Sequence, residues 1–279
     1  MTWDLAKRRN RPWRNPNTRP SPVFLAFLAA AVIAGVFAWR SNTLGSRGGD
    51  FAVFVMVVSL WVVSLSLHEF GHAYAAYRAG DRSVEAAGYL TLNPLKYAHP
   101  VLSIVLPLLF IVQGGIGLPG GAVYLHRHSF RSKASQSMAA AAGPLTNIAF
   151  AAVTLAFVHA NQHSSHGRFW TGMAFFGFLQ VSAAVLNLLP IPGLDGWAVI
   201  EPYLSAETVR GAEPIKPWGM IGVIVLLQLN QLNNSFFNLV YGLFELSGVN
   251  RIAAEVGREV FRFATRVMVS SAEEASSSV

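Results

Sequence analysis

The chain has 279 residues, of which 53% are hydrophobic and 13% are charged, and its net charge at neutral pH is +7. Soluble domains carry about a quarter charged residues, so this composition excludes an ordinary soluble domain and indicates a membrane protein. The chain contains no cysteine, which excludes disulfides and thiolate metal ligands. Any metal must therefore be bound by histidine, carboxylate or water.

The first segment, residues 1–21, is strongly basic. Asp4 is its only acidic residue, against Lys7, Arg8, Arg9, Arg11, Arg14 and Arg19. A nucleic-acid-binding arm would be followed by a folded reader domain, and none follows, so we expect no nucleic-acid partner. The cluster instead predicts a cytoplasmic amino terminus by the positive-inside rule. A cleaved signal peptide is an alternative, but the next apolar run is long for that role and further spans come after it.

Two transmembrane helices are predicted next, over 22–40 and 50–79. Each contains an apolar run close to the length of about 20 residues that a bilayer core requires. Within 51–77 the only charged side chain is Glu69. If the amino terminus is cytoplasmic, the chain crosses outward along the first helix and returns along the second, so the second helix ends on the cytoplasmic side.

The segment after the second helix has no helical pattern. Residues 84–99 look extended. The apolar run 101–113 is short for a span, which favours a re-entrant or interfacial segment over a crossing. A Gly-rich loop, 114–133, follows it, and a short strand is predicted over 122–125.

The second half of the chain returns to long apolar runs. Helices are predicted over 135–160 and 169–191, and 217–247 predicts either one long span or a tight pair broken near Asn230–Asn234. An arginine-bearing helix over 250–270 and a disordered tail complete the chain.

Together these elements predict an all-α polytopic membrane protein with about five to six transmembrane helices and a short β or re-entrant segment between the second and third long helices. Residues 22–249 would form one polytopic domain whose motif-bearing core spans about 51–200. The basic segment 1–21 precedes this domain, and the basic helix and tail, 250–279, follow it. The expected location is the cell membrane, with several crossings.

Two histidines and a glutamate interrupt the apolar second helix. His68 and His72 are four residues apart, so on a helix they share one face and have the spacing of two ligands to one zinc ion. Glu69 is placed beside them to act on a metal-bound water. The plain alternative is a set of polar side chains satisfied within a helix bundle. Ionisable groups inside a span are costly and usually functional, which favours the metal site.

A catalytic zinc site needs a third protein ligand, and Asp195 is the best candidate. It is the only Asp after Asp81 and lies in NLLPIPGLDG (187–196), where the two prolines would break the helix and let a side chain turn inward. Five further histidines are predicted to be ordinary surface residues rather than ligands: His126, His128, His159, His163 and His166.

The third long helix opens with the small residues of AAAAGPLTN (139–147). Small residues allow close helix approach, and Gly143-Pro144 can expose backbone to a cavity. The amide of Asn147 could bind a substrate backbone or could join two helices, and the sequence favours neither. Asp195, Asn147 and the histidine pair meet on one side of the membrane only if 101–113 does not cross it.

Three motifs in this order resemble those of the site-2 protease family of intramembrane zinc metalloproteases: HEFGH (68–72), AGPLTN (142–147) and NLLPIPGLDG (187–196). GYLTLNPLKYAHPVLSIVLPLL (88–109) also resembles the segment that follows the zinc motif in small bacterial members. The resemblance covers about 51–200.

The resemblance implies one zinc ion per chain, bound by His68, His72 and Asp195, with Glu69 as general base. It also implies that Asn147 and Asn187 help to bind substrate. The implied activity is hydrolysis of membrane-spanning protein substrates in regulated intramembrane proteolysis, with membrane lipid and an upstream site-1-type protease as partners. A catalytically inactive scaffold or a metal-dependent binding protein on the same fold is the alternative.

Overall fold

The chain's fold was obtained as a computed structural model, which describes residues 18–41, 47–96 and 130–262. Four long helices organise these residues: α1 (Pro22–Arg40), α2 (Arg47–Ala79), α3 (Lys133–Ala160) and α4 (Gly167–Asn187). All four are long and apolar enough to cross a membrane, and the helices predicted over 22–40, 50–79 and 135–160 are confirmed. The chain is a multi-pass membrane protein.

The carboxyl-terminal part consists of shorter helices. They are α5 (Asp195–Ile200), α6 (Ala206–Ala212), α7 (Gly219–Leu226), α8 (Asn230–Glu245) and α9 (251–262). The segment predicted as one span or a tight pair is therefore a pair, α7 and α8, separated by residues 227–229. Neither member meets the length of a span, so the count of about five to six crossings stays a prediction.

The structure differs from the sequence-based expectation at one helix end and in the conformation of one connecting segment. The fourth long helix ends at Asn187 rather than near 191, because Pro190 disfavours helical geometry in the residue before it. Residues 84–96 are not extended: they form helical turns at Ser83–Ala86, Tyr89–Thr91 and Pro94–Lys96. Polar side chains close such turns, as where the Asn93 carboxamide oxygen accepts from the Leu95 amide at 3.0 Å.

The re-entrant segment predicted over 101–113 and the strand predicted over 122–125 lie outside the described residues. Within the described residues, all regular structure is helical.

The long helices form a bundle in which α2 is central, and α1, α3 and α4 all pack against it. Small residues bring the backbones close. A methyl group added to Gly71 on α2 would lie 3.0 Å from the Ala142 carbonyl of α3, and one added to Gly177 on α4 would lie 2.5 Å from a Leu155 methyl of α3. Apolar side chains such as Val153 and Phe157 cover the outer face of α3 and are exposed, as a surface that meets lipid requires.

The order of the helices along the sequence determines which segments lie at each end of the bundle. At one end α1 finishes and α2 and α4 begin, joined by a buried ion pair between Arg168 and Asp50 at 3.2 Å. The Arg168 guanidinium also donates to the Ser41 carbonyl at 2.9 Å. The opposite end therefore collects the end of α2, the start of α3 and the end of α4, which are the segments that carry the three motifs.

Candidate metal centre

The histidine pair lies on one face of α2, as the four-residue spacing requires. Both imidazoles are buried, with exposures of 5% for His68 and 6% for His72. Their Nε2 atoms are 3.1 Å apart. Glu69, the next residue on α2 after His68, is also buried.

Asp195 reaches this pair from the turn after α4. Its Oδ2 lies 3.2 Å from Nε2 of His68 and 3.3 Å from Nε2 of His72. Gly193 has φ = +101° in this turn, a conformation that glycine adopts without strain. A methyl group added to Gly196 would lie 2.2 Å from the Leu188 carbonyl oxygen. The two glycines thus let the chain fold back tightly and aim Asp195 at α2.

The other ring nitrogen of each histidine is held by an oxygen of α3. Nδ1 of His72 donates to the Ala139 carbonyl at 2.8 Å, and Nδ1 of His68 to the Asn147 carboxamide oxygen at 2.5 Å. A carbonyl oxygen can only accept, so the ring protons lie on Nδ1. In the neutral imidazoles, both Nε2 atoms therefore direct lone pairs towards Asp195. Metal-binding histidines are commonly oriented in this way, by a hydrogen bond from the other ring nitrogen.

The electrostatics of Asp195 favour its anionic form. Burial alone would raise the pKa of this carboxyl group, but positive charge on the adjacent His72 and His68 imidazoles outweighs burial and holds the pKa below its usual range. When a cation lies among these groups, whether a proton or a metal ion, Asp195 is therefore an anionic oxygen donor.

These donors fit a zinc ion. Tetrahedral zinc with bonds of about 2.0–2.1 Å holds its ligand atoms about 3.3 Å apart, and the three donor atoms here are separated by 3.1, 3.2 and 3.3 Å. Two imidazole lone pairs and a carboxylate oxygen facing one another also repel unless a cation lies among them. Among the described residues, these three form the group with the geometry of a metal site.

Gly143 on α3 closes the site from the other side. A methyl group added there would lie 2.2 Å from Nε2 of His72 and 2.6 Å from Nε2 of His68. A side chain at this position would occupy the space that the two nitrogens face. The small residue of the AGPLTN motif thus keeps that space open.

Asn147 lies between two helices. Besides accepting from His68, its amide donates to the Gln180 side chain of α4 at 2.8 Å, so its contacts are those of a residue that joins helices and orients a histidine. Its predicted contact with substrate stays a prediction, as does that of Asn187. Asn187 is buried and lines a small cavity beside His68.

The remaining described histidines lie at the opposite end of the bundle. His159 and His163 are exposed, and His166 stacks on Trp39 with 3.7 Å between ring centroids. His126 and His128 lie outside the described residues.

Sequence reasoning overlooked Gln180, which contacts Asn147. Its signal was available, because a lone glutamine in the middle of an apolar helix commonly forms a hydrogen bond between helices.

Comparison with known proteins gives close relatives. A protein of Mycolicibacterium smegmatis named "Putative zinc metalloprotease Rip2" is 48% identical over 91% of this chain and 97% of its own length. Its namesake from Mycobacterium tuberculosis H37Rv is 47% identical over 88% of this chain and 95% of its own length. The Bacillus subtilis protein "Putative zinc metalloprotease YwhC" is 30% identical over 61% of this chain and 78% of its own. No family model and no solved structure matches the chain.

Proposed function

This chain belongs to the site-2 protease family, and from that premise we propose that it is an intramembrane zinc endopeptidase. Its substrates are membrane-spanning proteins, whose peptide bonds it hydrolyses within or near the bilayer in regulated intramembrane proteolysis. The observation that supports this proposal most directly is the convergence of three metal-binding atoms, from His68, His72 and Asp195, within 4.8 Å of one another.

Each residue of the site has a separate role in the proposal. His68, His72 and Asp195 hold one zinc ion, and the oxygens of Asn147 and Ala139 hold the two imidazoles in the orientation that zinc needs. Bound zinc supplies a Lewis acid that polarises a carbonyl group and acidifies water. These roles would place the reaction at the end of α2.

Glu69 is the proposed general base. It takes a proton from the attacking water and later gives a proton to the amine of the cleaved bond. Its position beside His68, on the helix that carries both histidines, supports this role. Asn187 lines the cavity next to His68, which supports a contact with the substrate chain.

The orientation proposed for the chain follows from its charges. With the basic segment 1–21 in the cytoplasm, α1 runs outward and α2 returns, so the site lies towards the cytoplasmic side. An upstream site-1-type protease that trims the substrate first is part of the same proposal.

The proposal is tested by separating zinc binding from proteolysis. We expect Glu69→Gln to keep zinc and to lose membrane-protein cleavage by a factor of about 100 or more, because the variant keeps the three ligands and removes the base. The readout is a comparison of membrane-protein fragments in cells that express either form. Glu85→Gln neutralises an exposed carboxylate outside the site and is the matched control. Cleavage that persists undiminished in Glu69→Gln would contradict the mechanism.

A further inference from the structure

A chain of hydrogen bonds leads from His68 across three helices. Asn147 of α3 accepts from His68 at 2.5 Å and donates to Oε1 of Gln180 on α4 at 2.8 Å. Nε2 of Gln180 donates to Oγ of Ser64 at 2.9 Å, and Ser64 donates to the Trp61 carbonyl oxygen, also at 2.9 Å. This series of hydrogen bonds thus starts and ends on α2.

Its members are closed off from solvent. Gln180 is 0% exposed, Ser64 1% and Asn147 4%. Buried polar groups are costly unless they are hydrogen-bonded, and an intact chain satisfies these groups without water. The arrangement is therefore strongly favoured as a unit.

The Trp61 backbone carbonyl fixes the donor-to-acceptor direction of this series of hydrogen bonds. The Trp61 carbonyl can only accept, so the Ser64 hydroxyl donates to it and presents its lone pair to Gln180. Gln180 then directs its NH₂ group at Ser64 and its oxygen at Asn147. Asn147 in turn directs its NH₂ group at Gln180 and its oxygen at His68.

The last member of the chain to be oriented is the imidazole. Because Asn147 presents an oxygen, His68 must carry its proton on Nδ1, which leaves Nε2 free to bind metal. If both amides were reversed, Asn147 would present NH₂ to Nδ1, and the proton of neutral His68 would lie on Nε2. That tautomer cannot bind zinc through Nε2.

We propose that Gln180 is a positioning residue, which acts through Asn147 to hold His68 in its metal-binding tautomer. This inference rests on the proposed function and adds a residue that none of the three motifs contains. Gln180 suits this position because one carboxamide carries both the acceptor that Asn147 needs and the donor that Ser64 needs. Leucine offers neither group, and an ionised glutamate offers no donor.

Ser182 is a buried polar residue of α4 that is not part of this series of hydrogen bonds. It is also 0% exposed, and its hydroxyl donates to the Phe178 carbonyl of its own helix at 2.9 Å. Ser182→Ala removes a buried hydrogen bond on the same helix, two residues away, and leaves the chain from Ser64 to His68 intact. It is the matched control for Gln180→Leu.

The test measures zinc affinity in the detergent-purified full chain by competition with a fluorescent chelator. Loss of the direct partner of a metal-binding histidine costs about 10- to 100-fold in affinity, which is the expectation for Asn147→Ala. Gln180→Leu acts one bond further away and should weaken zinc binding about tenfold. Ser182→Ala should bind zinc as wild type does.

A double-mutant cycle separates positioning from a general packing role. If Gln180 acts through Asn147, Gln180→Leu has no further effect on zinc affinity once Asn147→Ala has broken the chain. An equal further loss in that background would show that Gln180 acts by another route and would overturn the proposal.

The remaining outcomes are also distinct. Gln180→Leu with wild-type zinc affinity overturns this inference and leaves the proposed function standing, whereas a wild-type chain that binds no zinc overturns both. If Gln180→Leu does not fold, Ser64→Ala removes the group that orients Gln180. It should weaken zinc binding in the same direction by a smaller factor, and unchanged affinity in Ser64→Ala would then contradict the proposal.

Discussion

The two ends of the helix bundle each bury charged or polar side chains among apolar helices, and they do so in opposite ways. At the end where α2 begins, Arg168 pairs with Asp50 at 3.2 Å, so a cation and an anion are matched within the chain. At the end where α2 finishes, His68, His72 and Asp195 bring three electron-pair donors together, and none of the three supplies a fixed positive charge.

This difference separates a charge-balanced cluster from one that is suited to bind a cation. A buried ion pair is complete, and removing one partner is costly because the other charge is left in the bundle. A set of converging donors is complete only with a cation among them. Both ends hold buried polar side chains, although the Asp195 side chain is 24% exposed and that of Arg168 only 1%. The balance of donors and acceptors is therefore the informative property.

The largest expected effect is on the activity of a reporter fused at either end of the bundle, because the two ends should lie on opposite sides of the membrane. A periplasmic-type reporter such as alkaline phosphatase, fused after Gln162, should be active, because the proposed topology places the loop between α3 and α4 outside. The same reporter fused after Arg82, beyond the metal-site end of α2, should be inactive. A cytoplasmic signal from the Gln162 fusion would contradict this orientation.

Gly143→Ala should break the metal site without loosening the fold. The added methyl would lie 2.2 Å from Nε2 of His72, so bound zinc should fall to about a tenth or less of the wild-type content. Alanine has the higher helix propensity, so helix stability would not account for the loss.

The control for that variant is Gly242→Ala on α8, where an added methyl meets nothing within 4 Å. Zinc content per folded chain is the measurement. Full zinc content in Gly143→Ala would show that the cation does not lie where the two histidines and Asp195 converge.

Asp50→Asn should have the opposite effects: it should lower the stability of the fold and leave the zinc content unchanged. Leaving Arg168 buried without its carboxylate should lower the stability of the fold by about 3–5 kcal/mol, while zinc content per folded chain stays at the wild-type value. Thermal unfolding in detergent gives the first quantity and metal analysis gives the second.

A companion variant sharpens the result. Replacing both partners, as Asp50→Leu with Arg168→Met, should recover much of the lost stability, because no unpaired charge is then buried. If Asp50→Asn instead released zinc from folded protein, the two ends would be coupled and the comparison would not hold.

The smallest effect is expected at the aromatic contact near the Arg168 end. His166→Ala removes the ring that stacks on Trp39 at 3.7 Å and should cost about 0.5–1.5 kcal/mol, with no change in zinc content. Thermal unfolding is again the readout. A loss of zinc in this variant would place His166 in the metal site, against its position at the far end of the bundle.

The parts of this molecule that the sequence predicts well are those set by local geometry. The apolar runs locate α1, α2 and α3 to within three residues, because length and hydropathy decide whether a helix can span a bilayer. The placement of His68 and His72 on one face follows from the helical repeat alone.

What the sequence does not predict depends on contacts between distant segments. The hydrogen bond between Asn147 and Gln180 joins residues 33 positions apart, and the pairing of Asp50 with Arg168 requires knowing that α2 and α4 begin at the same end. The turns of 84–96 differ from the expectation for another reason: local side-chain bonds to the backbone, as where Asn93 accepts from the Leu95 amide, favour turns that no apolar periodicity indicates.

The measurement that tests the account most directly is the zinc content of the detergent-purified chain, compared between wild type and Asp195→Ala, with Asp50→Asn as the control carboxylate. The account predicts about one zinc per chain in wild type and in the control, and a clear loss in Asp195→Ala, because the third ligand comes from the turn after α4. Wild-type protein without specifically bound zinc, when loss during purification is excluded, would contradict it.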